Sequence, residues 1–221
     1  MSISENIKKL KGTLPQGVQL IAVSKTKPDE AILGAYESGH RDFGENKVQE
    51  LVDKQSRLPH DINWHMIGHL QTNKVKYIVP FVHLIHSVDR LKLAKEIDRR
   101  AQQHDRVVDV LLQVHIAAEE HKFGFSEQEL NELMENQTLQ SLQHIRVRGL
   151  MGMATFTSNQ NQVISEFQQL NSYFKHVKST YLKEDQYFNT LSMGMSGDYE
   201  LAIEAGSNMV RVGSAIFGSR N

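Results

Sequence analysis

The apolar run VQLIAVS (18–24) delivers a lysine, Lys25, with Thr26, Lys27 and Pro28 directly behind it. A lysine at the edge of apolar surroundings can lose its proton through desolvation and attack a carbonyl carbon to form a Schiff base. The plainer alternative is a solvated lysine at a strand end, which suits Lys27, beside Pro28 and the helix-starting Asp29, better than it suits Lys25. Near the other end of the chain, SMGMSGDYE (192–200) sets Ser196 and Gly197 just ahead of a helical segment, and RVGS (211–214) supplies Arg211, Gly213 and Ser214. Unpaired N–H groups at a helix start attract anions, and glycine lets a phosphate approach the backbone. An ordinary helix cap with a turn glycine also accounts for the Ser-Gly-Asp triplet. An imine-forming lysine and a phosphate site on one rim together suggest a phosphorylated aldehyde, for which pyridoxal phosphate is the obvious cofactor.

Other chemistry-bearing residues read more simply. Of the 11 histidines, His65 and His69 are four apart, which on a strand is roughly 13 Å, too far to share an ion. Alternation puts His83 and His86 on opposite faces, and His104, His144 and His176 read as surface or helix-end residues, so no metal is expected. Trp64 reads as core. Glu119 and Glu120 fit a charged loop, with no acid or base role assigned.

The elements that must position these residues recur along the whole chain. Eight apolar, β-branched runs, at 18–24, 40–46, 62–68, 82–88, 107–116, 146–154, 187–194 and 209–218, alternate with helically spaced segments such as RLKLAKEIDRRAQQHD and QVISEFQQLNSYFKHV. The second run is the least strand-like. This alternation predicts a parallel sheet, and eight units in 221 residues predict an α/β fold, a single (β/α)8 TIM barrel occupying 1–221 as one domain. No outer helix is expected after the eighth run, and an amino-terminal helix over 3–11 is expected to close the outer ring. Barrel chemistry gathers at the carboxyl ends of strands, with phosphate often held after strands seven and eight. Those ends here carry Ser24 and Lys25, Glu45 and Asn46, Gly68 and His69, and Ser87 and Asp89.

Composition narrows the partners. Twenty-five basic against 26 acidic residues leave a net charge of −1, no footprint for nucleic acid or an anionic membrane. The absence of cysteine excludes disulfides and thiolate chemistry. The polar start, MSISENIKKLKGTL, lacks the apolar stretch of a signal peptide, and a cytoplasmic location is expected.

Taken together, AVSKTKP, FGENKVQE, WHMIGHLQTNK, HSVDR, RGLMGMA and LSMGMSGDYELAIEAGSNMVRVGSAIFG closely resemble the pyridoxal-phosphate homeostasis protein family, over residues 18–218. The resemblance implies the alanine-racemase-like barrel of the fold-type III pyridoxal-phosphate class. It implies an aldimine on Lys25, phosphate contacts from Ser196, Gly197, Gly213 and Ser214, Arg211 beside the cofactor ring and phosphate, and a pocket lined by Asn46 and His69. Lys47 stands where the family usually has tyrosine. HIAAEEHK (115–122) replaces the usual polar loop after strand five, with Ala117 and Ala118 in place of polar residues while Lys122 and Gly124 are kept. The implied role is buffering or delivery of cofactor, with pyridoxal phosphate and the apoenzymes that require it as partners, and a monomeric chain. Arginine near the pyridine nitrogen disfavours its protonation and weakens the ring as an electron sink. A racemase on this barrel also needs a second base facing Lys25, taken in the racemases from an added carboxyl-terminal domain and a partner subunit. The alternatives are a small pyridoxal-phosphate-dependent racemase or lyase, and a Schiff-base aldolase acting directly on a sugar phosphate.

Overall fold

The computed structural model describes residues 2–119 and 123–218. Eight parallel strands close into a barrel in chain order: β1 (Gln19–Val23), β2 (Asp42–Glu45), β3 (Asn63–Met66), β4 (Leu84–Val88), β5 (Val108–Gln113), β6 (Ile145–Met151), β7 (Thr190–Ser192) and β8 (Met209–Val212). Closure is made by β1 against β8, where Gln19 pairs with Met209 and Ala22 with Val212. The least strand-like run does form a strand: β2 pairs with β3 over its whole length, Asp42 with Asn63 through Glu45 with Met66.

Around the barrel lie α1 (Ile3–Thr13), α2 (Asp29–Tyr36), α3 (Val48–Arg57), α4 (Val75–Ile78), α5 (Leu91–Gln103), α6 (Glu127–Glu135), α7 (Gln160–Thr180), α8 (Tyr199–Glu204) and α9 (Ser214–Phe217). Ser2 and Glu5 cap α1 reciprocally, and its buried face carries Ile7 and Leu10. This helix packs between α2 and α9, and Asn6 Nδ2 donates to the Ile216 carbonyl at 2.9 Å, so it closes the ring as expected. The last apolar run differs from its reading as one strand: β8 stops at Val212, and Gly213 turns the chain into the single helical turn of α9. Among the described residues no helix is long and apolar enough to cross a membrane.

Period-two alternation splits the core into two shells. Leu20, Ala22, Phe43, Trp64, Met66, Val110, Leu112, Val210 and Val212 belong to the apolar layer between strands and helices. Ile21, Leu84, Leu111, Met151 and Met209 form a smaller cluster inside the barrel. Polar residues at the same inward-facing register, His65, His86, Ser192 and Arg211 among them, are buried there with them.

Gly149 shows how tightly β6 and β7 meet. Its φ is 152°, and a Cβ there would overlap the Thr190 carbonyl. Gly149→Ala is expected to cost about 3 kcal/mol or more in urea unfolding, the size of a strained, overpacked core position. Gly12→Ala, in α1 with nothing near its Cβ, should be neutral or stabilising by up to ~1 kcal/mol.

Candidate functional site

A cavity of about 820 Å³ opens at the carboxyl ends of the strands. Lys25 lines it from the end of β1, Asn46 from β2, Ser196 from the turn after β7, and Arg211 and Gly213 from β8.

Lys25 stands on a braced corner. Ser24, fully buried, donates its hydroxyl to Glu45 Oε1 at 2.6 Å. Lys54, reaching in from α3, donates to the Ser24 carbonyl and to Glu45 Oε1, both at 2.8 Å, and to Glu50 Oε1 at 2.7 Å. Just past Lys25 the chain turns sharply: Thr26 adopts a left-handed φ of 62°, and its N–H donates to the same Glu50 oxygen at 2.5 Å. Lys25 is thus fixed at the backbone on both sides. Lys27, which also borders the cavity, has its Nζ 3.2 and 3.3 Å from the Phe217 and Gly218 carbonyls at the end of α9. Burial pushes the Glu45 carboxyl up to about 7, against the opposing pull of Lys54 and the Ser24 hydroxyl, and its Oε2 is buried with no hydrogen-bond partner.

The glycine segments meet as an anion-type cradle. The Gly213 and Ser214 N–H groups both donate to Ser196 Oγ, at 3.0 and 3.2 Å, so two backbone donors converge on one oxygen. The turn carrying Ser196 is held by Asp198 Oδ1, which accepts from Met195 N–H at 2.6 Å. Glycine at 213 has a packing reason, because a Cβ would stand 3.1 Å from the Val23 carbonyl oxygen. At Gly197 a Cβ would meet nothing, so packing does not dictate glycine there.

Arg211 is the site's buried cation. It is only 3% exposed and donates from Nη1 to the Ser192 hydroxyl and carbonyl at 2.6 and 3.0 Å, and from Nη2 to the Gly152 carbonyl at 3.1 Å. Among the described residues it ion-pairs with no carboxylate, and burial lowers its pKa to about 10. The Asp198 carboxylate opposes that shift from a distance, but the atoms bonded to the guanidinium are neutral acceptors, and such a buried cation favours an anion beside it. The cavity volume lies within the ~300–1,000 Å³ common to small-molecule sites. The amine, the converging N–H groups and the buried cation fit a phosphorylated aldehyde.

Not every expected residue joins this cavity. His69 lies instead on an adjoining one of about 560 Å³, with Lys47 and Tyr77, because Asp89 holds its Nδ1 at 3.0 Å and the Phe123 ring stacks on it at 3.7 Å. Asn46 belongs to the wall between the two. After β5, the Ala118 N–H donates to Thr155 Oγ1 at 2.9 Å, so the backbone of that loop supplies a polar tie. Gly124 is required there, with φ 136° and a Cβ position 2.7 Å from His115 N, whereas Lys122 lies outside the described residues. Sequence reading missed Lys54, although a signal existed: it follows Leu51 by three on the buried face of α3, where lysine is out of place.

The family model described as the alanine racemase N-terminal domain matches residues 1–221. The pyridoxal phosphate homeostasis protein of Vibrio alginolyticus is 41% identical over 215 residues, covering 95% of this chain and 90% of that protein. Among solved structures, PipY of Synechococcus elongatus with PLP bound is 36% identical, with a TM-score of 0.89 over 98% of this chain and 100% of that one. Alanine racemase of Bartonella henselae, at 15% identity and a TM-score of 0.73, shares the fold over 98% of this chain and 58% of its own.

The raised Glu45 pKa has a signed consequence. The folded state keeps a proton that the unfolded chain gives up above about 4.5, so this group's contribution to stability falls as pH rises from about 4.5 through about 7. Urea midpoints of the native protein should therefore drop relative to Glu45→Gln across that interval. A pH-independent difference would contradict the assignment.

Proposed function

We propose that this chain, which belongs to the alanine racemase N-terminal domain family and within it to the pyridoxal phosphate homeostasis proteins, holds pyridoxal phosphate through an imine to Lys25 and serves to store and deliver it. The observation that carries the reading is the mouth cavity, which combines Lys25 on its braced corner with two N–H groups converging at Ser196 and a buried Arg211. The Vibrio relative's name and the PLP bound to PipY support the choice of ligand.

Each residue has a part that follows from its surroundings. Lys25 Nζ supplies the nucleophile, and the bracing at Ser24 and Thr26 limits the directions from which it attacks. Ser196, Gly197, Gly213 and Ser214 take the phosphate through backbone N–H and hydroxyl donors. When bound, the cofactor can stabilise a carbanion by drawing electrons into its ring. Arg211 would oppose that use, because a fixed buried cation lining the cavity disfavours a second positive charge on a ring bound there. Among the described residues lining the cavity the ionisable side chains are Lys25, Lys27, Asp198 and Arg211. Lys27 is engaged by the α9 carbonyls and Asp198 by the Met195 N–H, which favours a carrier over a racemase with a second base.

Borohydride reduction of the protein loaded with pyridoxal phosphate should place the pyridoxyl group on Lys25; a label on Lys27 would refute the attachment. Lys25→Ala should fold and lose the imine absorption.

Ser196→Ala should weaken cofactor retention by roughly ten- to a hundredfold, the worth of a hydrogen bond to a charged group, and leave Lys25 reactive. Unphosphorylated pyridoxal should bind poorly to the native protein, and equal affinity for the two aldehydes would mean that the anion cradle is misplaced.

The carrier role is decided by α-hydrogen exchange in deuterated water over a panel of amino acids. Amino acids are expected back unchanged, while a cofactor-free apoenzyme incubated with the loaded protein gains activity. Exchange at catalytic rates that vanishes in Lys25→Ala restores the racemase.

A further inference from the structure

At the end of the barrel opposite the cavity, three successive strands bring metal-type donors together. Asp42 is the first residue of β2, His65 lies within β3, and His83 immediately precedes β4. Parallel register sets Asp42 beside Asn63 and His65 beside Leu84, and the His83 N–H donates to the Trp64 carbonyl at 2.8 Å. One donor atom from each of Asp42, His65 and His83 lies within 4.8 Å of the other two. We propose that these three side chains bind a single divalent transition-metal ion of the zinc class, with a fourth position open to solvent on the exposed His83 side.

The donor set argues for the class of ion. Two imidazoles and a carboxylate form a borderline nitrogen and oxygen set that suits zinc and its neighbours better than calcium or magnesium. Metal bonds of about 2.0–2.2 Å in a tetrahedron place donors roughly 3.3–3.5 Å apart, and His65 Nε2 already stands 3.2 Å from Asp42 Oδ1. His83 supplies the remaining movement: its solvent-facing ring, 5.2 Å from the His65 ring between centroids, has to rotate inward from a donor separation within 4.8 Å. The nearby Asp109 carboxylate does not compete, since Arg146 and Arg148 hold its two oxygens at 2.6 and 2.7 Å.

The second independent feature is the support behind His65. Its Nδ1 is 3.0 Å from His86 Nε2, and His86 Nδ1 is 3.3 Å from Ser192 Oγ, both imidazoles being fully buried. An ion on His65 Nε2 places the ring proton on Nδ1, which donates to His86, and His86 donates onward to Ser192. This is the outer-shell arrangement that fixes the tautomer and orientation of a ligating histidine. The spacing argument against His65 and His69 holds; the partner of His65 comes from the neighbouring strand.

The test uses the full-length, untagged chain, stripped with a chelator and titrated with Zn²⁺ by calorimetry and with Co²⁺ by its visible d–d absorption. One equivalent of either ion should bind, and Zn²⁺ should raise the unfolding temperature. His83→Ala, at an exposed position, and Asp42→Asn should each weaken binding beyond the ~10–100-fold that an outer-shell partner is worth, whereas His144→Ala on the barrel exterior should not. Failure to bind one equivalent, or equal binding by native protein and His83→Ala, overturns the site.

Discussion

The mouth of the barrel depends on one buried contact, the Lys54 ammonium between the Glu45 carboxylate and the Ser24 carbonyl. Taking an ammonium and a carboxyl out of water is expensive, which is why the Glu45 carboxyl is pushed up to about 7, and their attraction repays the cost only where further hydrogen bonds complete the geometry. Here Ser24 Oγ, Glu50 and the Thr26 N–H supply them. The pair therefore ties β1, β2 and α3 at the point where the chain must stop being a strand. Without it, Thr26 has little reason to hold a left-handed conformation, and Lys25 would sit on a flexible loop end. The specificity of the corner, more than any net gain in stability, is what the ion pair provides.

The interior of the barrel follows the same logic one layer inward. A short parallel barrel has room for few side chains, and here Ile21, Leu84, Leu111, Met151 and Met209 fill only part of it. The remainder is polar but connected: His65 to His86, His86 to Ser192, Ser192 to Arg211, and Arg211 to the Gly152 carbonyl. Connected polar groups can be buried cheaply, whereas isolated ones cannot. The column allows a guanidinium to be held under the mouth with no carboxylate hydrogen-bonded to it among the described residues.

What was legible in the sequence divides along the same lines. Within a strand, period-two alternation and the residue at the carboxyl end are visible, so all eight strands, Lys25, and the Ser196 and Gly213 segments could be placed. Between strands, register is set by closure of the whole barrel. That is why Asp42, His65 and His83 gave no sign of their proximity. The setting of His69 was hidden for a related reason: it follows β3 as expected, but Asp89, just past β4, and the Phe123 ring, both distant in sequence, hold it against the adjoining cavity. The eighth run read as one long strand because Gly213 resembles an ordinary small residue until its closeness to Val23 is known.

The form of the anion cradle bears on what the site is suited to do. Two backbone N–H groups converge on Ser196 Oγ at ordinary hydrogen-bond lengths. Donors satisfied by a phosphate alone would be orphaned on its departure, at a cost of roughly 1–3 kcal/mol each if they remained buried. A hydroxyl that can accept from both lowers that cost in the released state, and in the proposed bound state the same hydroxyl turns to donate to the phosphate, a charged hydrogen bond that outweighs the two it gives up at this partly exposed turn. An enzyme that keeps its cofactor through many turnovers gains nothing from such an arrangement. The proposed carrier, which must load and unload the same ligand, does, and a lysine braced at the cavity edge would complement it, since an imine is reversible.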